Sequence, residues 1–244
     1  MSLLILSRLR REWALVSLAG VAAIAAVDFQ RPSSLAGSLS VWAWCSFLLY
    51  RGLPDNRRKN EEEILFGLGA PTAITLLRGL LVSVAAGYLR VPEVAAPAYG
   101  AAVVLDGLDG PLARRQKRET LLGSRLDMEI DAAGILVAAL SGIALGKLPV
   151  WYLAIGLARY LFIAGLEARR FAGSPVRDLD PSRLRRLLAG SQMTFLAVAL
   201  WPQLPGTLSF AAAYPFGALT LAMFLRDWHF VVRLRPSGYG GTSP

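Results

Sequence analysis

The chain has 244 residues, 55% of them hydrophobic and 18% charged, with a mean hydropathy of +0.47. An average soluble domain carries about a quarter charged residues, so an ordinary soluble fold is excluded and a polytopic membrane protein is indicated. The single cysteine, Cys45, excludes an internal disulfide scaffold and offers no metal-site spacing.

The N-terminus, MSLLILSRLRREW, leads into an apolar run in which residues 22–26 imitate a signal-peptidase site. A cleaved signal needs a short apolar core before such a site, so an uncleaved first span is expected. Eight apolar runs long enough to cross a bilayer follow in order: residues 13–29, 37–53, 65–89, 94–113, 126–145, 149–166, 187–204 and 208–225. They lack period-two alternation, so helices are expected rather than barrel strands. Charged connections alternate with very short ones such as GKLP and PQLPGT, which demand antiparallel neighbours. The expected fold class is all-α, a polytopic transmembrane helix bundle. Its closing segment, RDWHFVV, holds the only histidine, His229, and reads as interfacial and amphipathic; the ending RPSGYGGTSP reads as disordered.

The net charge of +9 raises nucleic acid as a partner, but the distribution of charge removes it. With the N-terminus inside, 21 of the 26 Lys and Arg fall on inner segments and three on outer ones, leaving Arg78 and Arg159 within spans. This bias puts both termini in the cytoplasm and explains the basic residues by topology and anionic headgroups.

Four carboxylates break the apolar pattern. Asp106 and Asp109 are three apart at the end of the fourth run, and Asp127 and Asp131 are four apart at the start of the fifth. These spacings place each pair on one helix face, so two antiparallel neighbours can point all four into one cavity. Aspartates within a membrane are costly, and four together repel one another. Divalent cations remove both difficulties, and all-oxygen ligation suits Mg²⁺ or Mn²⁺ rather than zinc. The plainer alternative is interfacial aspartates at helix ends, with Asp127 and Asp131 favouring a helix N-terminus.

Gly107, Gly110 and Gly123 remove side chains near the carboxylates, which lets a ligand approach the backbone; for Gly107, helix packing is the preferred reading. Arg114, one turn beyond Gly110, can reach a phosphate. Metal carboxylates, close backbone and an arginine together point to a pyrophosphate substrate.

The pattern D-x-x-D-G-x-x-A-R, eight residues, then G-x-x-x-D-x-x-x-D runs through Asp106, Asp109, Gly110, Ala113, Arg114, Gly123, Asp127 and Asp131. It resembles the signature of the CDP-alcohol phosphotransferases. The resemblance implies a six-helix core over residues 61–226, preceded by an extension (residues 1–60) with two transmembrane helices and followed by a cytoplasmic tail (residues 227–244). Packing or dimer contacts are the expected role of the extension. The implied reaction moves a phosphatidyl or related phosphoryl group from a CDP-linked lipid, such as CDP-diacylglycerol, to a small or lipid alcohol. It releases CMP and belongs to phospholipid biosynthesis. Asp106, Asp109 and Asp127 are implied metal ligands of two ions, and Asp131 a ligand that is also the general base. The residues alone leave open which of Asp127 and Asp131 is the base. The family also implies a homodimer among membrane lipids.

The third run carries APTAITLLR, which resembles the family's P-N-x-x-T-x-x-R segment beside the nucleotide. Pro71, Thr75 and Arg78 match, whereas Thr72 replaces the usual asparagine and loses its amide donors. Thr72, Thr75, Gly110, Ala113, Arg114, Thr120 and Gly123 are thus the nucleotide and CDP-lipid candidates, although an exposed loop position is the simpler reading of Thr120. Arg78 needs a counter-charge, either the acidic cavity or a structural ion pair. Arg159 and, ahead of the seventh run, Arg183, Arg185 and Arg186 are candidates for an acceptor phosphate, with topological anchoring the alternative for the last three.

Two other classes compete. Aspartate-rich prenyltransferases also hold pyrophosphate through Mg²⁺, but on two separated motifs rather than one compact block. A cation transporter or channel would use carboxylates without needing Gly110, Arg114 and Gly123 at fixed spacing.

Overall fold

The computed structural model describes residues 2–30, 34–58, 61–115, 119–174, 176–177 and 182–232, without the side chains of residues 2–3 and 108–115. The expectation for RPSGYGGTSP lies outside these residues. The described helices are α1 (Ser2–Gln30), α2 (Leu35–Gly52), α3 (Gly69–Gly87), α4 (Pro92–Arg115), α5 (Leu121–Ala144), α6 (Leu153–Phe171), α7 (Arg183–Leu200) and α8 (Gly206–Val232). Short 3₁₀ turns at Leu53–Asp55 and Val150–Tyr152 lead out of α2 and into α6. The fold is an all-α polytopic bundle.

Among the described residues, length and apolar composition suit four stretches to crossing a membrane: Leu4–Gln30, Gly69–Gly87, Val150–Phe171 and Gly206–Val232. The remaining helices fall short of eight such spans because they carry the polar groups. Aspartates interrupt α4 and α5, arginines open α7, and α2 contains four serines or arginines along one short helix.

The centre of the bundle is α3, which packs most extensively on α4 and then on α2 and α5. Small side chains permit the α3–α4 approach: Ala85 and Ala86 face Ala95, Ala96 and Ala102 in a single buried cluster. By contrast, α4 and α5 touch each other little. The expectation that they are close neighbours is corrected by α3, which lies against both.

The first two helices are fused to this core. Trp13 Nε1 donates to the Ser46 carbonyl at 2.9 Å, and Trp42 Nε1 donates to the Ser17 carbonyl at 2.9 Å, locking α1 to α2. Tyr88 Oη at the end of α3 donates to the Val27 carbonyl at 3.2 Å. At the other end, Glu12 Oε2 accepts from Leu68 N at 2.9 Å, immediately before α3 begins. Gly67 there has φ +94°, a conformation open to glycine at little cost, which turns the chain into α3. Buried Asn56 steadies the same bend by donating to the Leu65 and Gly67 carbonyls.

The segment between α2 and α3 also reaches α5. Arg58 and Thr120 form an antiparallel backbone bridge, Leu121 N donates to the Arg57 carbonyl at 3.0 Å, and Arg125 pairs with Asp55. The start of α5 is thereby tied to residues preceding α3. At the far end of the molecule, Lys147 Nζ donates to the Trp201 and Leu204 carbonyls, joining the two short connections. Helix α8 continues through RDWHFVV because Asp227 is buried against Arg185, and Trp228 packs on Gly165 and Phe162. His229 is exposed in its last turn.

Candidate active site

Helix α3 delivers Arg78 to the middle of the bundle, where 1% of its side chain is exposed. Its guanidinium gathers three carboxylates from two other helices. Nη2 lies 2.7 Å from Asp106 Oδ1 on α4 and also pairs with Asp131 on α5, while Nη1 lies 2.5 Å from Asp127 Oδ1. One oxygen from each of the three aspartates falls within 4.8 Å of the others. Arg78 therefore takes the acidic cavity as its counter-charge, and it is the element that draws the α4 and α5 carboxylates together.

Local structure explains this placement. Thr120 is the N-cap of α5, its Oγ1 accepting from Gly123 N at 2.9 Å, and it is buried rather than an exposed loop residue. Capping at Thr120 starts α5 six residues before Asp127, so Asp127 and Asp131 occupy its second and third turns. A helix dipole fades within the first turn, which removes the helix-end explanation for these two aspartates. Gly123 gives the cap its room, since a Cβ there would sit 3.1 Å from Thr120 Oγ1 and 3.9 Å from Thr72 Oγ1. Thr72 and Thr75 are buried on α3, and Thr75 Oγ1 donates to the Pro71 carbonyl. Gly107 meets no described atom within 4 Å of a notional Cβ, so it faces open space instead of serving helix packing. Asp109, Gly110, Ala113 and Arg114 belong to the last turns of α4, and their side chains lie outside the described residues.

The donor set bears on a metal. Three carboxylates share one guanidinium in a half-buried site among the described residues, with the side chains of Asp109 and Arg114 outside them. An all-carboxylate donor set fits a hard ion. The residues present thus fit Mg²⁺ or Mn²⁺ chemistry.

A second space adjoins Asp131. A cavity of about 340 Å³ is lined by Asp131, Arg159, Arg185, Gln192, Thr220 and Asp227 over an apolar floor. Arg159 Nη2 is held by Glu129 Oε1 at 2.7 Å, and Arg185 Nη1 by Asp227 Oδ2 at 3.3 Å. Buried Gln192 donates to Tyr152 Oη and accepts from Thr220 Oγ1. Arg183 and Arg186 do not reach this cavity: α7 begins at Arg183, and both side chains project to the exposed surface. Arg185 is the arginine of that run that turns inward, on the face continued by Leu188, Ala189 and Gln192.

Several residues here escape a reading of sequence alone. Glu129, Asp227 and Gln192 are defined by partners 28 to 42 positions away. Tyr99, fully buried on α4, keeps its hydroxyl unbonded among the described residues, within electrostatic reach of Asp131 and Asp106. A tyrosine inside an alanine-rich helix was the available signal.

Fold and site define an integral membrane protein with a half-buried acidic cluster that could hold a metal ion. Residues 68–226, well over half the chain, match the family model for CDP-alcohol phosphatidyltransferase, and the chain belongs to that family of membrane transferases. No curated protein and no solved structure gives a significant match.

Proposed function

We propose that this protein transfers a phosphatidyl group, or a related substituted phosphoryl group, from a CDP-linked lipid such as CDP-diacylglycerol to an alcohol, releasing CMP. The carboxylate cluster of Asp106, Asp127 and Asp131 around Arg78 carries this reading, together with family membership. Asp106, Asp109, Asp127 and Asp131 would hold Mg²⁺ or Mn²⁺. Bound there, such ions supply charge neutralisation of a pyrophosphate and a better CMP leaving group.

The chain's own residues perform the remainder. Asp131, which borders the second cavity as well as the cluster, accepts the proton of the acceptor hydroxyl. The freed oxygen attacks the phosphorus that bears the lipid, the phosphoanhydride P–O bond breaks, and CMP leaves with the electron pair. Arg78 fixes the rotamers of Asp127 and Asp131, and its charge offsets theirs. Thr72, Thr75, Gly110, Ala113, Arg114, Thr120 and Gly123 form the nucleotide side, with Thr120 and Gly123 acting through the shape of the α5 start. Arg159 and Arg185 form the acceptor side. On the proposed topology both termini and the site face the cytoplasm.

The test is CMP release from CDP-diacylglycerol by the purified full chain against a panel of alcohols, with Mg²⁺, Mn²⁺ or chelator. Release that needs both an alcohol and a divalent ion is expected. Folded protein that releases no CMP with any acceptor would refute the assignment.

A further inference from the structure

Helix α5 has a second face that the carboxylates do not use. Leu122, Arg125, Leu126 and Glu129 form a stripe at spacings of three and four, turned well away from Asp127 and Asp131. This stripe is the floor of a cleft of about 720 Å³ walled by α2 of the N-terminal extension and by α6. From α2 come Trp44, Leu48 and Arg51, one stripe of that helix; from α6 come Tyr160, Ile163 and Ala164. Seven residues separate Trp44 from Arg51, about 10 Å along the helix, so the cleft has an apolar body and a charged mouth.

The charges of the cleft do not balance. Arg125 is paired with Asp55, and Arg159 with Glu129. Arg51, exposed at the mouth in the last turn of α2, makes no ion pair among the described residues and lies only beside the Phe47 ring, 5.7 Å from its centroid. The cleft therefore carries one surplus positive charge above an apolar trough. A free phosphate would use the charge and leave the trough empty. An anionic phospholipid uses both, and its net charge of about −1, which a zwitterionic lipid cancels with its own ammonium, matches a surplus of one.

We propose that this cleft is a binding site for an anionic phospholipid, with the phosphodiester at Arg51 and an acyl chain along Trp44, Leu48 and Ile163. Basic pockets between membrane helices hold lipid headgroups by the same chemistry. The site is built jointly by the extension and the core, which gives α1 and α2 a role beyond packing.

Native mass spectrometry on the full chain, reconstituted with dioleoylphosphatidylglycerol and dioleoylphosphatidylcholine in equal amounts, tests the proposal without reference to turnover. Selective retention of phosphatidylglycerol is expected. Arg51→Glu should lower it about tenfold, since a surface arginine contributes about 1 kcal/mol and charge reversal more. Leu48→Trp, which fills the trough and leaves Arg51 in place, should lower it comparably, whereas Lys147→Glu at the opposite end should not. Unchanged retention in both cleft variants overturns the proposal. Displacement of the lipid by inorganic phosphate, or retention that vanishes when chains dissociate from one another, also overturns it, assigning the cleft to a free anion or a second copy. Melting temperatures of the variants separate loss of the site from loss of the fold.

Discussion

Arg78 and Arg159 both sit within helices of the bundle, yet their surroundings are opposite in kind. Arg78 faces three carboxylates and is sealed from solvent, with 1% of its side chain exposed. Arg159 faces one carboxylate, Glu129, at the wall of a cavity. The first setting gathers carboxylates from two helices into a donor set that could hold a cation, whereas the second is a one-to-one ion pair beside a cavity. The cluster at Arg78 is the place proposed to receive a divalent ion.

Predictions that break or sharpen this contrast begin with the largest effect. Asp131→Asn removes the proposed base, and loss of general-base catalysis costs about 10²–10⁴ in rate. CMP release should fall by that factor while binding of the CDP-lipid, followed by isothermal calorimetry, largely persists; an active variant would remove Asp131 from that role. Arg78→Ala leaves three carboxylates without their shared counter-ion. Breaking a buried charge pair costs about 3–5 kcal/mol, so denaturant unfolding should show a loss of that order, partly restored by Mn²⁺.

At the balanced arginine the expected change is smaller. Arg159→Ala should raise the acceptor KM about tenfold, in keeping with about 1.5–3 kcal/mol for a charged hydrogen bond, and leave the KM for the CDP-lipid unchanged. A rise in the donor KM instead would move Arg159 to the nucleotide side. The smallest effect is expected at Glu12, which belongs neither to the carboxylate cluster nor to the lining of the second cavity. Glu12→Ala removes the acceptor of the Leu68 N–H ahead of α3 and should cost about 1 kcal/mol of stability, as for a lost helix cap. Glu12→Gln, which keeps an accepting oxygen, should cost less.

What the sequence made legible follows the same division. The gathering of Asp106, Asp127 and Asp131 and the need of Arg78 for a counter-charge could be read from residue types, because a helical repeat fixes which side chains share a face. The part played by α3 between α4 and α5 could not, since it depends on alanine packing across three helices. Thr120 reads as a loop residue until its cap with Gly123 N is seen. In the basic run opening α7, Arg183, Arg185 and Arg186 look alike in sequence. Only the rotation of α7 sets Arg185 against Asp227 and leaves its neighbours outside. Pairings such as Arg159 with Glu129 join helices whose relative rotation no local pattern encodes.

The central claim is that the carboxylates around Arg78 hold a divalent ion together with a CDP-linked substrate. Its most direct test is Mn²⁺ binding to the full chain, followed by electron paramagnetic resonance with and without CDP-diacylglycerol. The account predicts saturable binding that tightens when CDP-diacylglycerol is added and is lost in Asp106→Asn and Asp127→Asn. Absence of specific Mn²⁺ binding in the wild-type chain, or binding indifferent to both substitutions, would contradict it.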